Sequence, residues 1–407
     1  MLSQESRKEI IELINREVVP AMGCTEPVAV SLCTAKAVET LGCQPEKIEV
    51  FLSPNVLKNA MGVGIPGTDM IGLPIAIALG AIVGKSEYQL EVLKDVTPES
   101  VEKGRQMIDE GRINVGLKNG NCETLYIEAK VSSGEQSASA VISGAHTNFT
   151  YVIKNGKILT DNRKPVTEAT ERPSVELTLQ KVWEFATESP LDELSFILEA
   201  RRLNKAVADE SLQGEWGHCL GRVVRDSQYS HNVLGDTILS NMIYYTSAAC
   251  DARMGGAKMP VMSNSGSGNQ GIVSTLPVVV FAEKNNATEE QLIRALILSH
   301  LTVIYIKQSL GRLSALCGCV VASTGSSCGV TYLMGGGYNE VAMAVKNMVA
   351  TLTGMICDGA KPSCALKLSS SVSTGVVLSL EIWKGEIRLF AAFTTNSSGL
   401  IERPHLS

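Results

Sequence analysis

The sequence predicts an α+β protein in two parts, on three observations. Short alternating or β-branched runs fall between Ile48 and Ile153, long segments of helical periodicity dominate from Val175 onward, and the stretch 155–175 between them is polar with two prolines. The expected division is an α+β domain over 1–170, built on a small antiparallel sheet, and a mainly α-helical domain over 171–407.

Element by element, Ser6-x-x-Glu9 reads as a capping box for a helix whose apolar stripe is Ile10, Ile11, Leu13, Ile14 and Val18, ended by Pro20. Gly23-Cys24-Thr25-Glu26-Pro27 opens a second helix that runs to Leu41 and closes at Gly42, with Thr25 as N-cap. Ile48–Ser53 reads as a strand, and Gly62 to Gly84 as a glycine-rich loop leading into a packed helix. Leu125–Val131, Ala138–Ile142 and Phe149–Ile153 are separated by turn clusters and form the meander. Helices are expected over Val175–Ala206, Thr237–Ala249, Glu289–Leu310 and Tyr338–Met355, without internal repeats.

Composition narrows the function. The 407 residues are 44% apolar and 19% charged, enough for large cores and too apolar for disorder. The balance of 36 basic and 42 acidic residues, net −6, argues against a nucleic-acid or anionic-membrane partner. The apolar runs Ile71–Val83 and Ala295–Ile306 are too short to span a bilayer, and Pro74 and Gly80 interrupt the first. The charged, amphipathic N-terminus is no signal peptide, so a cytoplasmic protein is expected, as a homodimer.

Three segments suggest chemistry. Eleven cysteines in 407 residues fall far short of the ~8% of a disulfide scaffold, yet five of them (Cys317, Cys319, Cys328, Cys357 and Cys364) lie between 317 and 364. Cys357 and Cys364 share one Gly/Pro-containing loop, and Cys317-Gly318-Cys319 arrives from a distant helix end. That arrangement suits a three-point thiolate site for an iron–sulfur cluster, and it lacks the paired spacing of structural zinc; on spacing alone, reduced cysteines lining a small-residue core are the commoner outcome. Ser263 to Gly271 is nine polar or glycine residues in a row, whose backbone N–H groups can wrap a carboxylate or phosphate or simply form a turn. Cys24 precedes a helix N-terminus, where the helix dipole favours a thiolate, although packing alone accounts for many such cysteines. The histidines His146, His218, His231, His300 and His405 form no ligand spacing, and His300 reads as a satisfied core residue.

Together, GCTEP, SNSGSGNQGI, LCGC and ICDGAKPSC resemble, in order and spacing along nearly the whole chain, the L-cysteine desulfidase family, which is related to the α-domain of iron–sulfur L-serine dehydratases. The resemblance implies an oxygen-sensitive 4Fe-4S cluster with one open iron, held by Cys317, Cys357 and Cys364, with Cys319 as the alternate for Cys317. It implies Cys24 as proton acceptor and leaves Cys328 without a place. The expected reaction is β-elimination from L-cysteine, with L-serine as a second substrate. The carboxylate would be gripped by Ser263, Asn264, Ser265, Gly266 and Asn269, with Lys361 or Arg312 adding charge. Two alternatives stand beside it: a pyridoxal-phosphate lyase with Lys258 as Schiff base, and a non-catalytic iron–sulfur or metal sensor.

Overall fold

The computed structural model describes residues 2–163, 175–311 and 314–382, and the paired segments Thr394–Thr395 and Ile401–Glu402. Helix α1 (Gln4–Glu17) begins a little before the expected box, because Ser3 is the N-cap and accepts from the Ser6 amide. Strand β1 (Pro20–Met22) then leads directly into α2 (Thr25–Leu41), which ends at Gly42 in the left-handed conformation (φ 86°). Strand β2 (Lys47–Leu52), α3 (Pro54–Ala60), the two-residue strands β3 (Gly64–Ile65) and β4 (Met70–Ile71), α4 (Leu73–Ile82) and α5 (Pro98–Asp109) follow. Next come β5 (Ile113–Leu117), β6 (Tyr126–Ser133), β7 (Gln136–Ser143), β8 (Phe149–Lys154) and β9 (Lys157–Asp161).

The fold class is α+β, as expected, but the sheet is larger than the expected meander. It has six strands in the order β5-β2-β6-β7-β8-β9, and β5 lies parallel to β2. The segment read as linker opens as β9; residues 164–174 lie outside the described part. Helix α2 packs across β6, β7 and β8, and α4 packs on α2, giving a core that includes Leu32, Val50, Ile77, Ile127 and Ile142. Burying side chains of that size contributes roughly 1.5–3 kcal/mol each.

The C-terminal part is helical: α6 (Leu179–Glu188), α7 (Leu198–Gln213), α8 (Leu220–Asp226), α9 (Gln228–Leu234), α10 (Ile238–Met254), strand β10 (Pro260–Met262), α11 (Gly268–Lys284), α12 (Glu289–Leu310), α13 (Gly318–Leu333), α14 (Tyr338–Leu352) and α15 (Cys364–Ile382). The helix expected over Val175–Ala206 is two helices, since Pro190 cannot continue the helical hydrogen bonding of α6. Ile10, Leu13 and Ile14 of α1 are buried in one cluster with Phe185, Leu296 and Leu301. A third cluster, with Val207, Met242, Leu276 and Leu368, encloses Cys24, Cys317, Cys319 and Cys364. Among the described residues no helix is long and apolar enough to cross a membrane.

Two short backbone pairings position the chemistry. β1 pairs antiparallel with β10, Pro20 opposite Met262, and the ladder continues as Ser263 and Ser265 donate their amides to the Val19 and Glu17 carbonyls, each at 2.9 Å. This ties the start of α2 to the Ser263–Gly271 loop. Elsewhere Leu316 bridges Ile356; Cys317 donates its amide to Met355 (3.0 Å) and Cys357 to Ala315 (2.8 Å), so the two cysteine segments run side by side.

Candidate active site

These pairings bring the three sequence segments to one cavity of about 100 Å³. Its lining includes Cys24 and Glu26 from α2, Ser265 to Gln270 without Gly268, and the thiols Cys317, Cys319, Cys357 and Cys364.

Cys24, not Thr25, is the N-cap of α2, and its side chain caps nothing. Its Sγ donates to Glu26 Oε2 (3.2 Å), while Asn59 Nδ2 donates to Glu26 Oε1 (3.0 Å). The expectation of a helix-stabilised thiolate does not hold for this resting geometry. A helix N-terminus supplies ~0.3–1 kcal/mol, less than one pKa unit, whereas burial can move a thiol by several. Burial therefore dominates and, with the Glu26 carboxylate, pushes the Cys24 thiol far up, against the opposing pull of the Arg253 guanidinium.

The Ser263–Gly271 segment divides by role. Asn264 and Ser267 exchange backbone hydrogen bonds (3.0 Å each) around Ser265 (φ 48°) and Gly266 (φ 79°), a two-residue turn with both central residues left-handed. Such a conformation at a serine persists only where its surroundings enforce it. The supports are visible: Ser263 Oγ donates to Val19 O (2.6 Å), and Asn264 Nδ2 donates to His300 Nδ1 and His300 O (both 3.1 Å). Ser263 and Asn264, expected at the substrate, are thus committed to holding the loop and do not line the cavity; Ser265, Gly266 and Asn269 do. Gly271 is obligatory here, because a Cβ would stand 1.9 Å from the Met262 carbonyl oxygen.

His300 is the buried anchor of this loop. Thr275 Oγ1 donates to Gly271 O (2.7 Å) and so accepts from His300 Nε2 (3.0 Å), which assigns the proton to Nε2 and leaves Nδ1 to accept from Asn264. Burial lowers the imidazole to about 3. A folded-state value below the ordinary 6.5 stabilises the fold fully above pH ~6.5, and that contribution is lost as pH falls from there toward 3. Melting temperature measured across this window is expected to drop, and to drop less steeply in His300→Gln; equal slopes would remove His300 as the cause.

Around the thiols, Cys319 donates to the Cys317 sulfur, which lowers Cys317 to about 6 and, with burial, raises Cys319. Burial also raises Cys364, whose Sγ lies 3.6 Å from the Gly359 carbonyl oxygen. Gly359 (φ 99°) lets this loop press on α3, where a Cβ would stand 2.0 Å from Lys58 O. Cys250 of α10, which the sequence spacing does not single out, interacts electrostatically with Cys364 and Cys317 from behind the cavity. Cys328 is a packing residue, buried near Val341 and Leu296.

The remaining expected residues lie elsewhere. Lys361 pairs with Asp358 (2.9 Å), and the cation that interacts with Cys317 and Cys364 is Lys367. Arg312 is outside the described residues. Lys258 Nζ donates to Val96 O (3.3 Å) and is not in the cavity lining, so the lysine expected to carry pyridoxal phosphate is not at this site.

Among the described residues no three His, Cys, Asp or Glu side chains converge tightly enough for a single metal ion. A four-iron cluster is wider than one ion, and the donor chemistry fits it: four soft thiols from two paired segments and one loop face a common space.

The serine dehydratase alpha chain family matches residues 87–386, which hold the loop and all four cavity thiols and begin beyond Cys24. The chain belongs to that family. Within this serine dehydratase-like group it is 65% identical over 374 residues to a UPF0597 protein of Bacteroides thetaiotaomicron, covering 92% of this chain and 87% of that one. It is 49% identical over 407 residues to a UPF0597 protein of Porphyromonas gingivalis (98% and 92% covered). It is 44% identical over 395 residues to one of Photobacterium profundum (96% and 90% covered).

Proposed function

We propose that the protein is an iron–sulfur lyase that eliminates the β-substituent of L-cysteine, and of L-serine as a second substrate. The observation that carries this reading is one cavity lined both by Cys24, with its carboxylate partner Glu26, and by Cys317, Cys319, Cys357 and Cys364. Cys317, Cys357 and Cys364 would hold a 4Fe-4S cluster, Cys317 being preferred to Cys319 because Cys317 and Cys357 each follow directly on the Leu316–Ile356 bridge, whereas Cys319 lies inside α13. When bound, the cluster supplies an iron Lewis acid for the leaving sulfur or oxygen.

The chain's own residues handle the proton. Elimination requires removal of the hydrogen on Cα, a weak acid. Cys24 hands its thiol proton to Glu26 and becomes the acceptor; the burial that keeps the resting thiol protonated also makes its thiolate a strong base. Asn59 holds Glu26 in place for the exchange. L-cysteine and water then give pyruvate, ammonium and hydrogen sulfide.

Anaerobic reconstitution tests this. The expected result is brown protein with about four irons and four acid-labile sulfides per chain, releasing sulfide and pyruvate from L-cysteine and pyruvate from L-serine. Iron-loaded protein that turns over neither would favour the sensor and end the lyase reading.

A further inference from the structure

Arg253 Nε and Gln270 Oε1 are buried in the cavity wall and have no hydrogen-bond partner among the described residues. Arg253, 4% exposed at the end of α10, is a cation with no carboxylate paired to it among the described residues. Its Nη1 donates to Asn269 Oδ1 (3.0 Å), and its guanidinium lies on Gly268, where a Cβ would stand 2.2 Å from Nε. Only glycine there leaves the guanidinium its place at the wall. Burying an arginine without a counter-charge is costly, and a chain that does so holds it ready for an anion.

Gln270, 2% exposed, uses its Nε2 on the Asn264 carbonyl (3.3 Å) and leaves Oε1 free. Its side chain lies against Gly318, between the two cysteines of the Cys317-Gly318-Cys319 turn, where a Cβ would be 3.3 Å from Oε1. The wall therefore offers an unanswered cationic donor on one side and an unanswered acceptor beside the thiols. A carboxylate answers the first and an ammonium the second.

We infer that Arg253 and Gln270 form a binding site for the zwitterionic head of an α-amino acid, Arg253 taking the carboxylate and Gln270 Oε1 the ammonium, with Asn269 orienting Arg253. This deepens the lyase reading and rests on it for the reaction, while the binding itself can be measured without turnover.

The test uses the iron-loaded enzyme and calorimetry with L-alanine, which has no leaving group, and with propanoate, which lacks the ammonium. Arg253→Gln is expected to weaken L-alanine and propanoate about 100-fold, in line with loss of a charge-assisted forked contact. Gln270→Leu is expected to weaken L-alanine about tenfold and leave propanoate unchanged. Wild-type affinity for L-alanine in Arg253→Gln would overturn the inference, and so would equal losses of both ligands in Gln270→Leu. Should Arg253→Gln not fold, Arg253→Lys, which keeps the charge and loses the fork, is expected to cost about tenfold for both ligands, and no loss would overturn the assignment. An enzyme that shows this binding pattern but releases nothing from L-cysteine or L-serine sinks the lyase reading and keeps the amino-acid site. One that turns over normally while Arg253→Gln still binds L-alanine sinks only the site.

Discussion

Cys357→Ala and Cys364→Ala are each expected to abolish iron retention and lower turnover by at least ~10³-fold, while helix content and melting temperature stay close to wild type. Neither side chain carries the fold. Cys357 is half-buried on a loop, and Cys364 is one small residue at the start of α15. Replacing a thiol by a methyl group there removes little apolar contact, well under the 2–5 kcal/mol of a large core truncation. A cluster held by three thiolates loses a ligand with either variant, and the fourth cavity thiol, Cys319, stands in the first turn of α13 beside Cys317 and not on the loop that carries Cys357 and Cys364. Iron and acid-labile sulfide per chain after anaerobic reconstitution decide the matter. Cys317→Ala and Cys319→Ala complete the series: the first is expected to lose iron and the second to keep it, and the reverse would move the third ligand to Cys319. Retention of a full complement of iron in either loop variant would overturn the ligand set.

Cys24→Ala is expected to separate the two halves of the chemistry, keeping brown colour and iron while kcat falls ~10²–10⁴-fold, the range of a positioned general base. Glu26→Gln should follow it in kcat, with a smaller loss and an almost unchanged KM. Gln at 26 can still accept from Asn59, but it cannot take the thiol proton. Stopped-flow turnover with L-cysteine, alongside iron content, gives both readouts. Cys24→Ala with wild-type kcat would remove Cys24 as the proton acceptor, and wild-type kcat in Glu26→Gln would remove the exchange between them.

Much of the fold was legible where local chemistry settles the element. Helix α12 occupies Glu289–Leu310 as expected, because Thr288 and Gln291 cap it reciprocally and Gly311 ends it. Helix α2 stops at Gly42 for a similarly local reason. Strand β5 escaped because its identity comes from pairing alongside β2, while Ile113 and Val115 alone alternate too weakly. At the site, the cysteine spacing and polar loop located the cavity, but not which side chains face it. Ser263 and Asn264 look like ligand-binding groups and are scaffold. Arg253 looks like a charged residue ending a helix, and only tertiary packing reveals it buried, with no carboxylate paired to it among the described residues. The signal available was its setting, a single arginine followed by Met254-Gly255-Gly256 just ahead of the polar loop.

The strap between β1 and β10 is three residues long, and the join between the two cysteine segments rests on a single bridge flanked by two backbone hydrogen bonds. Each is slight beside the hydrophobic masses it connects, so local opening at either seam costs far less than melting the molecule. Catalytic competence and native structure are therefore distinct properties of this chain. On the proposed lyase reading, oxygen that reaches the thiols through such an opening ends turnover and leaves the native fold in place.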